Sequence, residues 1–366
     1  MVTPNRQKLS CLVLLVSSSV LVPCLVYLLY TSDFLPFPGY DFKKIHYEDK
    51  SKKVVLNEET FWSVQDEKRI QLQHQCLQYQ LDQVTIDMLP TKTLSSIIVD
   101  DRHQVLYCQI PKVACTNWRR VFLILSGKLN ITNPLEILSD DAHHKYKNNL
   151  RYLSQYGLGE IRYRLKNYFK FMIAREPLER VLSAYRNKFI MKFSSTFQRL
   201  YGRKIIKRYR RNATEQAKEE GDDVSFAEFV QYLLDPRTVM EQPLNEHWIQ
   251  QHKHCFPCTV NYDVIGHYEN LDSDATHILH YMNVDKNVTF PSRYSTYSHS
   301  KTSESLKKYF KQVPLPMLRD LYEMYYLDYM IFGYPYPDFL KVLNPSVTRQ
   351  AGIIHHQINP SHKPRP

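Results

Sequence analysis

Residues 168–189 read YFKFMIAREPLERVLSAYRNKF, and their order decides the fold. Phe169-Lys-Phe-Met-Ile-Ala174 is an apolar run of strand length, the signature of a buried strand. Arg175-Glu176-Pro177 ends it, and Pro177 stands where a helix can begin, since proline's missing N–H costs nothing in a first turn. The pattern then predicts a helix over 177–189. A second junction of the same kind lies upstream. Residues 105–110 read as a strand, 111–117 as a turn, and 118–125 as a helix that Gly127 stops. Residues 96–100 form another short strand, parted from 105–110 by the polar turn Asp101-Arg102-His103. Helices over 226–234, 275–282 and 315–326 complete the alternation. The predicted architecture is α/β, a central parallel sheet flanked by helices.

The chain has 366 residues, with 48 Lys and Arg against 37 Asp and Glu, a formal net charge of +11. A hydrophobic content of 43% with 13% aromatics supports a sizeable core and excludes a disordered chain. Twenty prolines against 9 glycines exclude collagen, and no internal repeat suggests a solenoid or propeller. The basic excess points to an acidic partner: nucleic acid, an anionic membrane or a polyanionic sugar.

Residues 11–30, CLVLLVSSSVLVPCLVYLLY, carry no charged side chain. As a helix they would span about 30 Å, the hydrocarbon thickness of a bilayer. Arg6 and Lys8 precede the run, and the next cation after it is Lys43. The positive-inside tendency therefore leaves residues 1–10 cytoplasmic and translocates the rest. The run is too long, and Tyr27-Leu-Leu-Tyr30 too bulky, for a cleaved signal peptide. A single transmembrane helix acting as a type II signal anchor is expected, which disfavours nucleic acid as the partner. Residues 31–95 read as a luminal stem with a helix-like stretch near 58–81, residues 96–342 as the folded domain, and 343–366 as a flexible C-terminal tail.

In the lumen, Asn130, Asn212 and Asn287 are glycosylation candidates, each opening an Asn-X-Thr sequon. Outside the anchor remain Cys76, Cys108, Cys115, Cys255 and Cys258, an odd number, so at least one stays free or pairs between chains. His252 and His254 before Cys255-Phe-Pro-Cys258 invite zinc or thiol redox chemistry, but an oxidising lumen favours a structural disulfide, within the pair or to other cysteines.

The chemistry falls on the two strand-to-helix turns. Pro111-Lys112-Val113-Ala114-Cys115-Thr116-Asn117 points backbone N–H groups and a helix N-terminus at one spot, with Lys112 as a point charge. The turn sits where a Walker A loop would, yet lacks its glycines, so an ordinary nucleotide triphosphatase is not supported. In Arg175-Glu176-Pro177-Leu178-Glu179-Arg180-Val181-Leu182-Ser183, Arg175 leaves the strand toward the ligand face with a fork suited to phosphate oxygens. Ser183, two turns on, could reach the same anion.

PKVACTNWRR at 111–120 and REPLERVLSAYRNKF at 175–189 resemble the paired 5′-phosphosulfate and 3′-phosphate loops of Golgi carbohydrate sulfotransferases. The branch is that of the HNK-1, GalNAc 4-O- and chondroitin/dermatan 4-O-sulfotransferases. The likeness continues through 97–103, 226–236, CFPC at 255–258 and FGY at 332–334. It includes YGRKIIK at 201–207, and KIIKRYRRNAT at 204–214, followed by GDD at 221–223 and NEHW at 245–248, is most similar to the chondroitin 4-O-sulfotransferases. The resemblance implies a P-loop-like sulfotransferase fold over 96–342 and 3′-phosphoadenylyl sulfate as donor, with no metal required. It further implies a glycosaminoglycan acceptor sulfated at the 4-hydroxyl of GalNAc, chondroitin first and dermatan second, at the Golgi membrane. By position, 111–117 would hold the 5′-phosphosulfate and 175–183 the 3′-phosphate, with Lys112 stabilising charge on the bridging oxygen.

An acceptor hydroxyl needs a base. His143, in Asp140-Asp-Ala-His-His144, is the first candidate, with acidic neighbours to hold it, and His247 is the second. The dense cations Arg203, Lys204, Lys207, Arg208, Arg210 and Arg211 read either as a rail for an acidic glycan or as a solvated helix face. Rival functions are sulfation of terminal GalNAc or glucuronic acid on glycoproteins, and a membrane-anchored acidic-glycan lectin without chemistry.

Overall fold

The computed structural model describes residues 57–191, 195–292 and 302–343. The expected cytoplasmic tail, signal anchor, first part of the stem and the tail from 344 onward lie outside the described residues. Among the described residues no helix is long and apolar enough to cross a membrane.

Five strands, β1 (Ile97–Asp100), β2 (Val105–Cys108), β3 (Arg151–Tyr152), β4 (Phe169–Ala174) and β5 (Val264–His267), form one sheet in the order β3-β1-β2-β4-β5. β2, β4 and β5 run parallel, but β1 is antiparallel to both β2 and β3. The expected parallel sheet is therefore mixed. A parallel pair needs a crossover of a dozen or more residues, and only the 101–104 turn separates β1 from β2. The Asp100 carboxylate closes that turn by accepting the N–H groups of Arg102 at 3.0 Å and His103 at 3.2 Å. β2 is buried along its whole length and β4 from Lys170 onward, as central strands covered on both faces must be. Tyr107 stacks on Phe171 at 4.8 Å between ring centroids, and Trp118 packs on Phe171 at 4.7 Å.

The helices that matter to the site are α1 (Glu58–Gln78), α2 (Cys115–Leu125), α3 (Ser139–His143), α4 (Leu158–Asn167), α5 (Pro177–Tyr185), α6 (Arg203–Tyr209), α7 (Phe226–Leu234), α8 (Gln251–Cys255), α9 (Leu271–Tyr281) and α10 (Leu315–Phe332). α7 spans the predicted residues. α2 starts three residues earlier than predicted, because Ala114 takes a left-handed turn at φ 66° that lets the helix open at Cys115. α5 stops at Tyr185 and widens into a π-turn over Arg186–Ile190, where an uninterrupted helix to 189 was predicted.

α1 falls within the span read as stem, yet it docks on the sheet. β5 is an edge strand, and α1 side chains satisfy its backbone: Gln65 Oε1 accepts from Ile265 N–H at 3.0 Å, and Lys68 Nζ donates to the Ile265 carbonyl at 2.9 Å. A disulfide between Cys76 and Cys258 ties the helix down, and a second joins Cys108 to Cys255, leaving Cys115 free. The expectation of structural disulfides with one leftover thiol is met. The two cysteines of CFPC pair outward rather than with each other.

Replacing Cys76 and Cys258 together by serine should lower stability by about 2–4 kcal/mol, read as a shifted denaturant midpoint, while sulfate transfer persists. The same treatment of Cys108 and Cys255 should cost activity too, because Cys108 ends the strand that leads into the 111–117 turn.

Candidate active site

Lys112 and Ala114 both adopt positive φ, 75° and 66°, which curls the 111–114 backbone beneath the N-terminus of α2. An α-helix leaves its first-turn N–H groups without an internal partner, and here the Ala114 carbonyl takes up that of Asn117 at 3.0 Å. Burial pulls the Lys112 ammonium down to about 7, and the cations Lys188, Arg175 and Arg180 push in the same direction, with only the Cys115 thiol opposing them. Four cations gathered here, of which Arg175 pairs with Glu179 at 3.4 Å while Glu246 and Asp328 act on Lys188 and Arg180, suit an anionic ligand, as expected for this turn.

The second turn divides its labour. The Arg175 guanidinium, 4% exposed, donates to the Lys112 carbonyl at 3.0 Å, lies 3.4 Å from Glu179 and stacks 4.2 Å over the Tyr268 ring. It is therefore a buried brace between the two turns as well as a cation, not merely a loop residue. Gln251 fixes its backbone from both sides, accepting from Arg175 N–H at 3.0 Å and donating to its carbonyl at 2.8 Å. Glu176 caps α5: Oε2 accepts from Glu179 N–H at 2.5 Å, and Oε1 accepts the Tyr329 hydroxyl of α10. Burial raises its carboxyl to about 7, which limits the negative charge it sets beside a phosphate.

Arg180, fully buried, donates from Nε to the Pro111 carbonyl at 3.0 Å, and from its terminal nitrogens to Ile249 and Glu246 carbonyls at 2.7 Å each. Val113, Leu178, Val181 and Leu182 are core side chains with no exposure, so any ligand contact from them runs through backbone. Pro111 likewise offers its carbonyl to Arg180 rather than a side chain to a ligand. Asn117 is buried as well, bonded to the Pro291 carbonyl at 3.1 Å and to Arg120 at 2.8 Å. Lys112, Thr116, Arg175 and Ser183 remain as side chains that can meet an anion.

The fold brings both histidine candidates to this cluster. His143 Nε2 lies 3.0 Å from Thr116 Oγ1. The expected acidic support is absent: Asp140 reaches His144 at 3.6 Å, and Asp141 reaches Lys145 at 3.8 Å. Burial, followed by Arg119 and other cations, depresses His143 to about 4, so the ring is neutral at physiological pH. Arg119 positions it, donating to the neighbouring Ala142 carbonyl at 3.0 Å and to Gln109 and Tyr152 at 2.8 Å each. His247 Nδ1 pairs with Asn245 Oδ1 at 2.7 Å, and burial with Lys188 and Lys112 holds it far below the usual imidazole range. Trp248, beside it, is wholly buried among aromatic rings and serves as a core anchor.

Lys188 was missed in the sequence. It sits on the π-turn after α5, lies 4.4 Å over the Phe197 ring, and acts electrostatically on Lys112, His143 and His247. A pattern reading assigns it to the outer part of an ordinary helix; only the wider turn re-aims it.

The basic run splits. Lys204 and Arg208 both pair with Glu241, and Arg210 pairs with Asp223 and Glu228 at 2.7 Å each. Arg199, Arg203, Lys204, Lys207 and Arg208 line an open depression of about 480 Å³. His252 bonds Asp328 at 2.6 Å and His254 the Gln109 carbonyl at 3.2 Å. Among the described residues, no group of three or more His, Cys, Asp or Glu side chains is placed to hold a metal ion. Asn130, Asn212 and Asn287 are all exposed.

Two cationic strand-to-helix turns with a neutral imidazole against one of them define a group-transfer enzyme for an anionic donor. Residues 95–335 match the sulfotransferase family, and the chain belongs to it. Carbohydrate sulfotransferase 11 of Rattus norvegicus is 44% identical over 257 residues, 70% of this chain and 71% of that protein. Carbohydrate sulfotransferase 14 of Danio rerio is 38% identical over 308 residues, covering 83% and 80%. Carbohydrate sulfotransferase 12 of Mus musculus is 36% identical over 271 residues, covering 70% and 64%. No solved structure matches the chain. The protein is thus a sulfotransferase enzyme, and its family implies 3′-phosphoadenylyl sulfate as the sulfate donor.

Lys112→Ala should abolish transfer with the circular dichroism spectrum unchanged, and it probes the site more cleanly than Arg175→Ala, which also removes the brace. In the donor-free wild type Lys112 loses its proton as pH rises through about 7, so affinity for adenosine 3′,5′-bisphosphate should fall there. Calorimetry across pH should show that limb flattened in Lys112→Arg. Arg180→Ala strands three carbonyls and opens a cavity; a loss of roughly 3–5 kcal/mol in chemical denaturation is expected.

Proposed function

We propose that the chain transfers the sulfuryl group of 3′-phosphoadenylyl sulfate to the 4-hydroxyl of N-acetylgalactosamine in chondroitin, with dermatan as a second acceptor. The reaction takes place on the luminal side of the Golgi membrane, behind an anchor at 11–30. A carbohydrate acceptor is supported by the names of the relatives. Chondroitin is supported by the likeness of 204–214, 221–223 and 245–248 to that branch of the family.

The 3.0 Å contact between Thr116 and His143 carries the chemical reading, because it sets a neutral ring nitrogen against the turn assigned to the sulfuryl end of the donor. The donor supplies an activated sulfuryl group. Lys112 stands where negative charge grows on the bridging oxygen of the departing nucleotide. Arg175 and Ser183 hold the 3′-phosphate end. An acceptor hydroxyl that replaces Thr116 on Nε2 gives its proton to His143 as its oxygen bonds to sulfur and the bond from sulfur to the 5′-phosphate oxygen breaks. The imidazolium then releases the proton to water. Positioning and cations do most of the work, as in phosphoryl transfer.

His143→Ala should lose turnover while still binding adenosine 3′,5′-bisphosphate. Because the wild-type ring stays neutral down to about 4, the acid limb of kcat/KM should fall near that pH instead of near the usual imidazole value. The acceptor is tested by incubating the protein with labelled donor and desulfated chondroitin, desulfated dermatan or a glycoprotein bearing terminal GalNAc, followed by disaccharide analysis. Label at O4 of GalNAc in chondroitin is the expected result. Label on the glycoprotein alone would replace the acceptor, and glycan binding without transfer would leave a lectin.

A further inference from the structure

A cleft of about 700 Å³ opens beside His143, lined in part by Lys128, Lys147, Arg151 and Gln155. We propose that this cleft is the acceptor subsite that receives the uronate carboxylates flanking the GalNAc to be sulfated, an assignment that rests on the acceptor class proposed above.

Three observations converge on it. His143, the candidate base, is part of the cleft wall, so a sugar seated there lies against the residue assigned to take the acceptor's proton. Its volume lies within the ~300–1,000 Å³ typical of small-ligand clefts, room for a short oligosaccharide. Its charge is one-sided: Lys128, Lys147 and Arg151 are exposed, and no carboxylate is among the lining residues. Lys128 has a carbonyl partner, Asn149 at 3.3 Å, but among the described residues no ion pair engages any of the three. Asp140 and Asp141, the nearby acids in sequence, are turned to His144 and Lys145. Arg119 forms part of the wall with its guanidinium committed to Ala142, Gln109 and Tyr152, so it contributes positive potential rather than a contact.

A blander account covers one residue only. Arg151 lies on the edge strand β3, where a charge discourages pairing with another chain. Lys128 and Lys147 come from separate turns after α2 and α3 and have no edge to protect. The depression at 199–208 is the competing surface, but Glu241 already engages Lys204 and Arg208 there, and neither histidine lines it.

The test uses the full chain in detergent. Lys147→Ala combined with Arg151→Ala should raise the KM for desulfated chondroitin about tenfold, two screened charge contacts' worth, and kcat should change far less. The kcat/KM preference for this polymer over a neutral GalNAc glycoside should fall by the same factor. Binding of fluorescent desulfated chondroitin, read by anisotropy without donor, should weaken in parallel and lose part of its salt dependence. Unchanged polymer binding and KM in the double variant would overturn the assignment, as would the same losses appearing in Arg203→Ala with Lys207→Ala instead. Polymer binding that depends on Lys147 and Arg151 without any transfer to chondroitin would uphold the subsite while rejecting the acceptor reaction.

Discussion

Arg180 is the interaction on which the site's geometry depends. A guanidinium with no exposure takes its compensation from three carbonyl oxygens, on Pro111, Glu246 and Ile249, which belong to the first turn and the NEHW segment. One side chain thus fixes three segments distant in sequence. The choice of carbonyls also matters electrically. A carboxylate partner would cancel the field of the cation, whereas carbonyl dipoles satisfy its hydrogen bonds and leave much of its positive potential in place. That field reaches Lys112 and His247, both of which Arg180 helps to depress.

The same cations therefore serve two ends. They suit an anionic ligand, and they add to the burial that keeps two histidines unprotonated, Lys188 acting on His143, and Lys188, Lys112 and Arg180 on His247. A ring depressed to about 4 is a weak base. Burial is the first cause of that depression, ahead of Arg119 and the other cations, so the ring is held neutral at the expense of its basicity.

Much of this was legible in the sequence because local chemistry and fold agree there. The apolar run at 169–174 followed by Pro177 specifies β4 and α5, and the polar turn at 101–103 specifies the β1–β2 hairpin. The sheet was read as parallel because strand and helix alternation says nothing about a hairpin at one end. Three features were not legible, each for a physical reason. α1 buries Phe61, Leu72 and Cys76, but Gln65, Lys68 and Gln71 on the docking side bond to Ile265 and Met330, so its apolar stripe is too broken to read as a core-facing helix. Lys188 depends on a π-turn that no residue pattern announces. The partners of Cys255 and Cys258 are set by tertiary proximity, since sequence spacing alone left every pairing open. His143 does lie by the first turn, but the acidic support expected for it is missing: its acidic neighbours face elsewhere, and burial, Thr116 and the cations define its state.

The cysteine pairing has a consequence for biosynthesis. Both bridges close onto a single four-residue segment, and their partners precede it by 182 and 147 residues. At about 5–20 residues per second of translation, Cys76, Cys108 and the unpaired Cys115 wait on the order of 10–30 seconds as neighbouring thiols before either correct partner is made. During that interval the only bonds open to them are wrong ones. Any early pairing among these thiols has to be undone by thiol–disulfide exchange, and the N-terminal half cannot be covalently locked until the C-terminal half of the sheet exists.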